Sequence, residues 1–174
     1  MGTKFTYALI LTIIGAVFNL LLYFTGFQTE KLAVGQHLGW LLFIAMIVVL
    51  ALGIKAVREE APDKSISYGK ALGTGVLISL YSGLMSAVYS FIHFKFVNPE
   101  FADYQMEIVR GKWEEAGMGA AQIEQAEGFT RAMMGPVAQA VMTPIMSVIF
   151  GTIISLILAA ILKRPAPAAT PPVA

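Results

Sequence analysis

The residues able to do chemistry are few and widely spaced. His37 and His93 are the only two imidazoles in 174 residues, and there is no cysteine. Thiolate catalysis, disulfides and cysteine metal sites within this chain are therefore excluded. Two neutral imidazoles at one membrane depth can ligate a haem iron, and Gly39 and Ser90 would leave room for part of the macrocycle. The plainer alternative is that each histidine meets interfacial water, caps a backbone group or touches a partner. Asn19 sits inside an apolar run, where pairing its amide avoids an unsatisfied group in lipid. Ser79, Ser82, Ser86 and Ser90 recur at helical spacing, and Thr143 precedes Pro144 in another apolar run. They suit helix packing, with Pro144 as a bend and Thr143 compensating a freed backbone group, or the lining of a polar path.

Other chemistry finds no support. The chain has no nucleotide-binding glycine loop with its strand and lysine, no His-Glu-x-x-His pattern and no carboxylate within an apolar run. Met133, Met134, Met142 and Met146 fit irregular apolar packing better than a soft-metal site. A stand-alone enzyme and an ion-coupled pump are disfavoured, and no cofactor is expected. The basic groups are too sparse for nucleic-acid binding but suit anionic lipid headgroups.

The elements that hold these residues follow from charge spacing. Between Lys4 and Glu30 lie 25 residues without Asp, Glu, Lys or Arg; between Lys31 and Lys55, 23; between Lys70 and Lys95, 24; between Arg131 and Lys163, 31. A helix needs about 20 residues to cross roughly 30 Å of hydrocarbon, and backbone satisfaction forbids an open chain there. The fold class is therefore an all-α membrane protein, a bundle of four transmembrane helices. The predicted spans run from Phe5 to Phe27, from His37 or Gly39 to Ile54, from Tyr68 towards Val97, and from Val137 to Leu162. The first apolar run is too long for a cleavable signal.

Four crossings put both ends of residues 1–164 on one side. Lys4, Lys55, Arg58, Lys64, Lys70, Lys163 and Arg164 lie there, against Lys31, Lys95, Arg110, Lys112 and Arg131 opposite. Seven basic residues against five favour cytoplasmic termini. Tyr23, Trp40 and Tyr68 fall near span ends, as interfacial anchors or as packing residues. On the cytoplasmic side Pro62 ends the second helix and Ser65 to Ser67 offer a cap to the third. Opposite, Asn98 to Gly135 is too long for a turn. Asn98-Pro99 reads as a helix start, with Asn98 as its cap. Gly117 and Gly119 then divide two amphipathic segments that form an outer helical cap. Phe101, Tyr104, Ile108, Trp113 and Phe129 are its candidate partner surface, the alternative being a cap resting on lipid.

Small residues mark the expected helix contacts: Gly69 and Gly73 with the serines in the third span, and Gly151, Ser155 and Ala159 in the fourth. Gly35 and Gly39 lie too near a span end to imply a dimer.

The stretches KFTYALILTIIGAVFNLLLY, LGIKAVREE, SISYGKALGTGVLISLYS and VYSFIHFKFVNPEF, spread over Lys4 to Arg164, resemble domain-of-unknown-function family 4199. The resemblance implies a small four-helix protein of the bacterial inner membrane and carries no catalytic set. The Ala/Pro-rich segment 165–174 lies beyond it and is expected to be a flexible tail. The function expected is a non-enzymatic accessory or scaffold protein, partnered by membrane lipids, other membrane proteins or copies of itself. The alternative is a component of small-solute transport.

Overall fold

Each charge-free stretch closes into helix because an apolar solvent leaves the backbone no other partner. The computed structural model describes residues 2–166. It begins with α1 (Thr3–Phe24), then a short α2 (Leu32–Gly35), a 3-10 turn (Gln36–Leu38) and α3 (Gly39–Glu59). α4 (Tyr68–Ile92) continues into a π turn (His93–Val97), followed by α5 (Phe101–Glu115), α6 (Ala120–Met134) and α7 (Pro136–Leu162). Four of the helical stretches are long and apolar enough to cross a membrane: Thr3–Phe24, Leu32–Glu59, Tyr68–Val97 and Pro136–Leu162. Of the expected flexible tail 165–174, residues 167–174 lie outside the described residues.

The spans bury little of themselves. Between 6% and 33% of their apolar windows is enclosed by protein, and α7 bares Ile145, Ile149, Ile153, Ile157 and Ile161 at every fourth position. Such a row is unfavourable against water and normal against acyl chains. The protein is an all-α four-span bundle with added helical segments.

Its largest helix contact joins α4 to α7, and small residues govern it. A Cβ on Gly75 would fall on the Ser155 side chain, one on Gly151 on Ser79, and one on Gly83 within 2.9 Å of the Pro144 Cα and 3.0 Å of the Ser147 Cβ. Each pair steps four residues forward on α4 and four back on α7, so one antiparallel seam interlocks Gly with Ser three times. Without side chains in the way, backbones approach closely and dispersion replaces the hydrophobic drive absent in lipid. Ser147 Oγ donates to the Ser79 carbonyl at 2.8 Å, and Ser79 Oγ to the Gly75 carbonyl at 2.9 Å. The Ser155 hydroxyl is buried without a partner, aimed at Gly75. By contrast Gly69 and Gly73 face open space, so the seam lies on a different face of α4 from that pair.

Below the seam's midpoint, Ala8, Leu50, Ile78 and Ile154 form one apolar cluster, and Ile54, Val57, Ile66, Ala71 and Ala159 another nearer the chain ends. This end is also tied by paired backbone bonds of 2.9 Å between Ile66 and Arg164. Ser67 caps α4, its Oγ accepting from the Lys70 amide at 3.3 Å. Asp63 accepts from the Ser65 amide at 3.1 Å, and its bonds to Ser65 hold its carboxyl below the ordinary range.

Three boundaries differ from expectation. The first span stops at Phe24 because Thr25 to Lys31 turn back over it through a positive-φ Gly26. The second crossing starts earlier, at Leu32, and runs on to Glu59, since α2 and the 3-10 turn lead into α3. Gly35 permits this re-entry: any side chain there would meet the Phe27 carbonyl.

Candidate functional site

The most organised polar group lies where α1, its following turn and the end of α4 meet, on the cap side of the bundle. Asn19 Nδ2 donates to the Gly15 carbonyl one turn back, at 2.9 Å, and Asn19 Oδ1 accepts from Gln28 Nε2 at 2.6 Å. Gln28 reaches Asn19 because the Gly26 turn folds the chain back over α1. Gln28 Oε1 is 2.8 Å from His93 Nε2, and His93 Nδ1 is 3.1 Å from the Tyr89 hydroxyl. Tyr89 also reaches the Ala16 carbonyl at 3.0 Å, tying α4 to α1. Asn98 Nδ2 donates to the Gln28 carbonyl at 3.1 Å. Gln28, His93 and Asn98 are all buried, His93 to 1% exposure.

Local sequence explains the placement. Tyr89 and His93 are four apart on one helix, so they share a face. The π turn rewinds α4 at His93: the Asn98 amide bonds to the His93 carbonyl, five residues back, at 2.8 Å. Insertions of this kind recur at functional sites in other proteins. The ring is walled by Tyr23 and Phe94, both edge-on, with centroids 6.0 and 5.0 Å away. A box of this kind fixes the ring's orientation through a partner at each nitrogen.

Above the cluster, Tyr23, Thr29, Val97, Asn98, Pro99, Glu100 and Tyr104 line a cavity of about 320 Å³. Desolvation, and Glu100 beside it, push the Tyr104 hydroxyl up.

The profile of the family described as "Protein of unknown function (DUF4199)" matches residues 6–164. The chain belongs to that family. No curated protein and no solved structure matches it.

In this DUF4199 protein the remaining candidate residues scatter. His37 is exposed on the 3-10 turn and takes no part in the His93 cluster; ligation of a metal by His93 would require breaking one of its two ring bonds. Ser82, Ser86 and Thr143 come together, with Gly15, Phe43 and Ser147, on a cleft of about 360 Å³ that all four spans line. Thr12 faces Ser82 there, their hydroxyl oxygens 3.2 Å apart. The apolar cluster of Ala8, Leu50, Ile78 and Ile154 lies beneath this cleft. Ser79 is in the seam, Ser90 is buried elsewhere on α4, and Pro144 packs against Gly83. Thr143 bonds to the Gln139 carbonyl at 2.7 Å, so it does not serve the Ala140 carbonyl that Pro144 leaves free.

The cap is a helical hairpin, α5 and α6 turning at Gly117 (φ 78°). Arg110 pairs with Glu127 and Arg131 with Asp103 across it. Its buried apolar residues are Met106 and Ile123, while Phe101, Tyr104, Ile108 and Trp113 are half-buried and Phe129 is bared. Asn98 does not cap α5, which starts at Phe101: its buried side chain is turned to Gln28, whose carbonyl accepts from Nδ2, and no bond from the helix's first amides to a cap side chain forms. Gln28 and Tyr89 escaped sequence reasoning. The lone Asn19 amide, needing a partner in lipid, and the Tyr89 to His93 spacing were the available signals.

Proposed function

We propose that this protein is a non-enzymatic accessory or scaffold subunit of the bacterial inner membrane, with both chain ends in the cytoplasm, that holds partner proteins by shape and apolar burial. One observation carries the reading: Phe129 is 74% exposed on the cap, and Met133, Val137 and Val141 are bared with it on both sides of the Gly135-Pro136 junction. α7 has 27 residues, about 40 Å at 1.5 Å per residue, against roughly 30 Å of hydrocarbon. Held untilted, its apolar row with the cap outruns the hydrocarbon core, and a second protein is a natural cover there. Asn19, Gln28, Tyr89 and His93 are turned on one another, leaving shape as the means of recognition. A photo-crosslinking residue at Phe129, compared with one at Ile153 in native membranes, tests this. A discrete protein adduct at 129 and only lipid adducts at 153 are expected; lipid alone at both positions contradicts it.

The cleft between the four spans favours a second reading, a component of small-solute transport. It requires the Leu50, Ile78 and Ile154 closure to open. Solute flux in reconstituted liposomes that changes in Ser86→Ala supports it, and the absence of flux across a broad solute panel sinks it.

A further inference from the structure

The cap meets the bundle across acids that have no counter-charge. Glu30, in the turn after α1, and Glu107, on α5, border one cavity of about 430 Å³. Glu100, at the start of α5, borders the adjoining cavity of about 320 Å³ with Tyr23 and Asn98. Thr29 and Tyr104 line both, so the two meet around the Tyr104 side chain. No ion pair among the described residues uses Glu30, Glu100 or Glu107. The cap's Arg110 and Arg131 pair with Glu127 and Asp103, while Lys31 and Lys95 lie over phenylalanine rings. Tyr104 feels the acids around it: its hydroxyl donates to Glu100 at 3.5 Å, and desolvation, followed by the charges of Glu100 and Glu30, holds that hydroxyl above the ordinary phenol range. α5 rests only lightly on α2, and like charges on both sides of that contact push it apart.

The smaller cavity also asks for a hydrogen donor. Asn98 is 2% exposed, and its Nδ2 is given to the Gln28 carbonyl. Its Oδ1 accepts from none of the described residues. Among those residues the side-chain atom enclosed without a partner is the Ser155 hydroxyl. Asn98 Oδ1 is therefore open to space, and the space that Asn98 lines is this cavity. The amides of Phe101, Asp103 and Tyr104 bond back to the Asn98 and Glu100 carbonyls, so these N–H groups at the start of α5 are not free to take an anion. An ammonium, with three donors and no acceptor, suits the carboxylates and Oδ1, and the Tyr23 and Tyr104 rings suit its charge. A single metal ion does not fit, because no three acid or imidazole side chains among the described residues are grouped to hold one. Acids spread over two adjoining cavities match a cation spread likewise.

We propose that the two cavities together bind a linear diammonium or polyammonium ligand, with one ammonium at Asn98 Oδ1 and Glu100 and a second between Glu30 and Glu107. The ligand would tie the cap to the turn after α1. The site is separate from the partner surface at Phe129 and does not depend on it.

Carbon-13 NMR of the full chain with ring-labelled tyrosine, in maltoside micelles and an amine-free buffer near neutral pH, tests this. The probes are terminal diamines of three to six carbons, with pentylamine at matched ionic strength. The Tyr23 and Tyr104 signals are expected to shift saturably with the best diamine, while Tyr68, at the other end of α4, stays in place. The carboxylates are exposed, so each ion pair is expected to bring about two- to fivefold in affinity. The best diamine should therefore bind about two- to fivefold tighter than pentylamine, and Glu30→Gln and Glu100→Gln should each weaken it by about the same factor. Glu124→Gln, which removes a carboxylate from the separate cavity between α5 and α6, should leave binding unchanged. No saturable shift with any diamine, pentylamine binding as tightly as the best of them, or a loss in Glu124→Gln equal to that in Glu100→Gln overturns the proposal.

Discussion

α4 is held on two sides by opposite means. Towards α7 it presents Gly75, Ser79 and Gly83 to Ser155, Gly151 and Ser147, and the contact depends on missing side chains. Towards α1 it presents Tyr89 to the Ala16 carbonyl and His93 to Gln28, and the contact depends on side chains with particular donors and acceptors. A seam built on absence fails when atoms are added; a junction built on hydrogen bonds fails when a partner is removed. The seam's Gly and Ser residues carry no titratable side chain, whereas the junction is built around the His93 imidazole.

The largest effect should come from adding bulk to the seam. Gly151→Leu has no room against Ser79 and is expected to abolish the folded protein, whereas Gly151→Ala should cost about 1–3 kcal/mol. The exchange Gly75→Ser with Ser155→Gly swaps the pair across the seam and should recover most of what Gly75→Ser alone loses, measured by reversible unfolding in mixed micelles as a double-mutant cycle. Additive losses would show that the pair does not interlock.

Next comes the polar junction. Gln28→Leu strands both Asn19 and His93 and should destabilise by about 1–3 kcal/mol in the same assay, with hydrogen exchange rising near Phe24 and not along α7. Equal loosening of α7 would erase the distinction between the two sides. The smallest effect belongs to the cap. Arg131→Ala removes pairs to Asp103 and Glu127 that are partly exposed to water, and a change below about 1 kcal/mol is expected. A larger loss would make the cap part of the bundle's framework.

Much of this was legible in residue order. The gaps between charges located four spans, and Ser67 marked the start of α4 through the chemistry of a helix cap. The strip Gly151, Ser155 and Ala159 was visible on α7, yet its partners on α4 were not: Gly69 and Gly73 look as suitable as Gly75 and Gly83. Only the rotation of one helix against another separates them, and rotation is set by all the neighbours at once. Gln28 hid for a similar reason. It sits where the first span had been expected to end at Phe27, and only the turn through Gly26 brings it over Asn19. Asn98 carried a genuine capping signal that lost to a buried partner 70 residues away.

The register of the α4 to α7 seam is the most direct test of the whole arrangement. Ala71 and Ala159, both fully buried in one cluster, continue it by one step, and the chain's lack of cysteine gives a clean background. Oxidation of Ala71→Cys with Ala159→Cys in membranes should give rapid intramolecular disulfide formation, while Ala71→Cys with Ile161→Cys, which points Ile161 outward, should give none. Cross-linking of the second pair, or of neither, would contradict the seam.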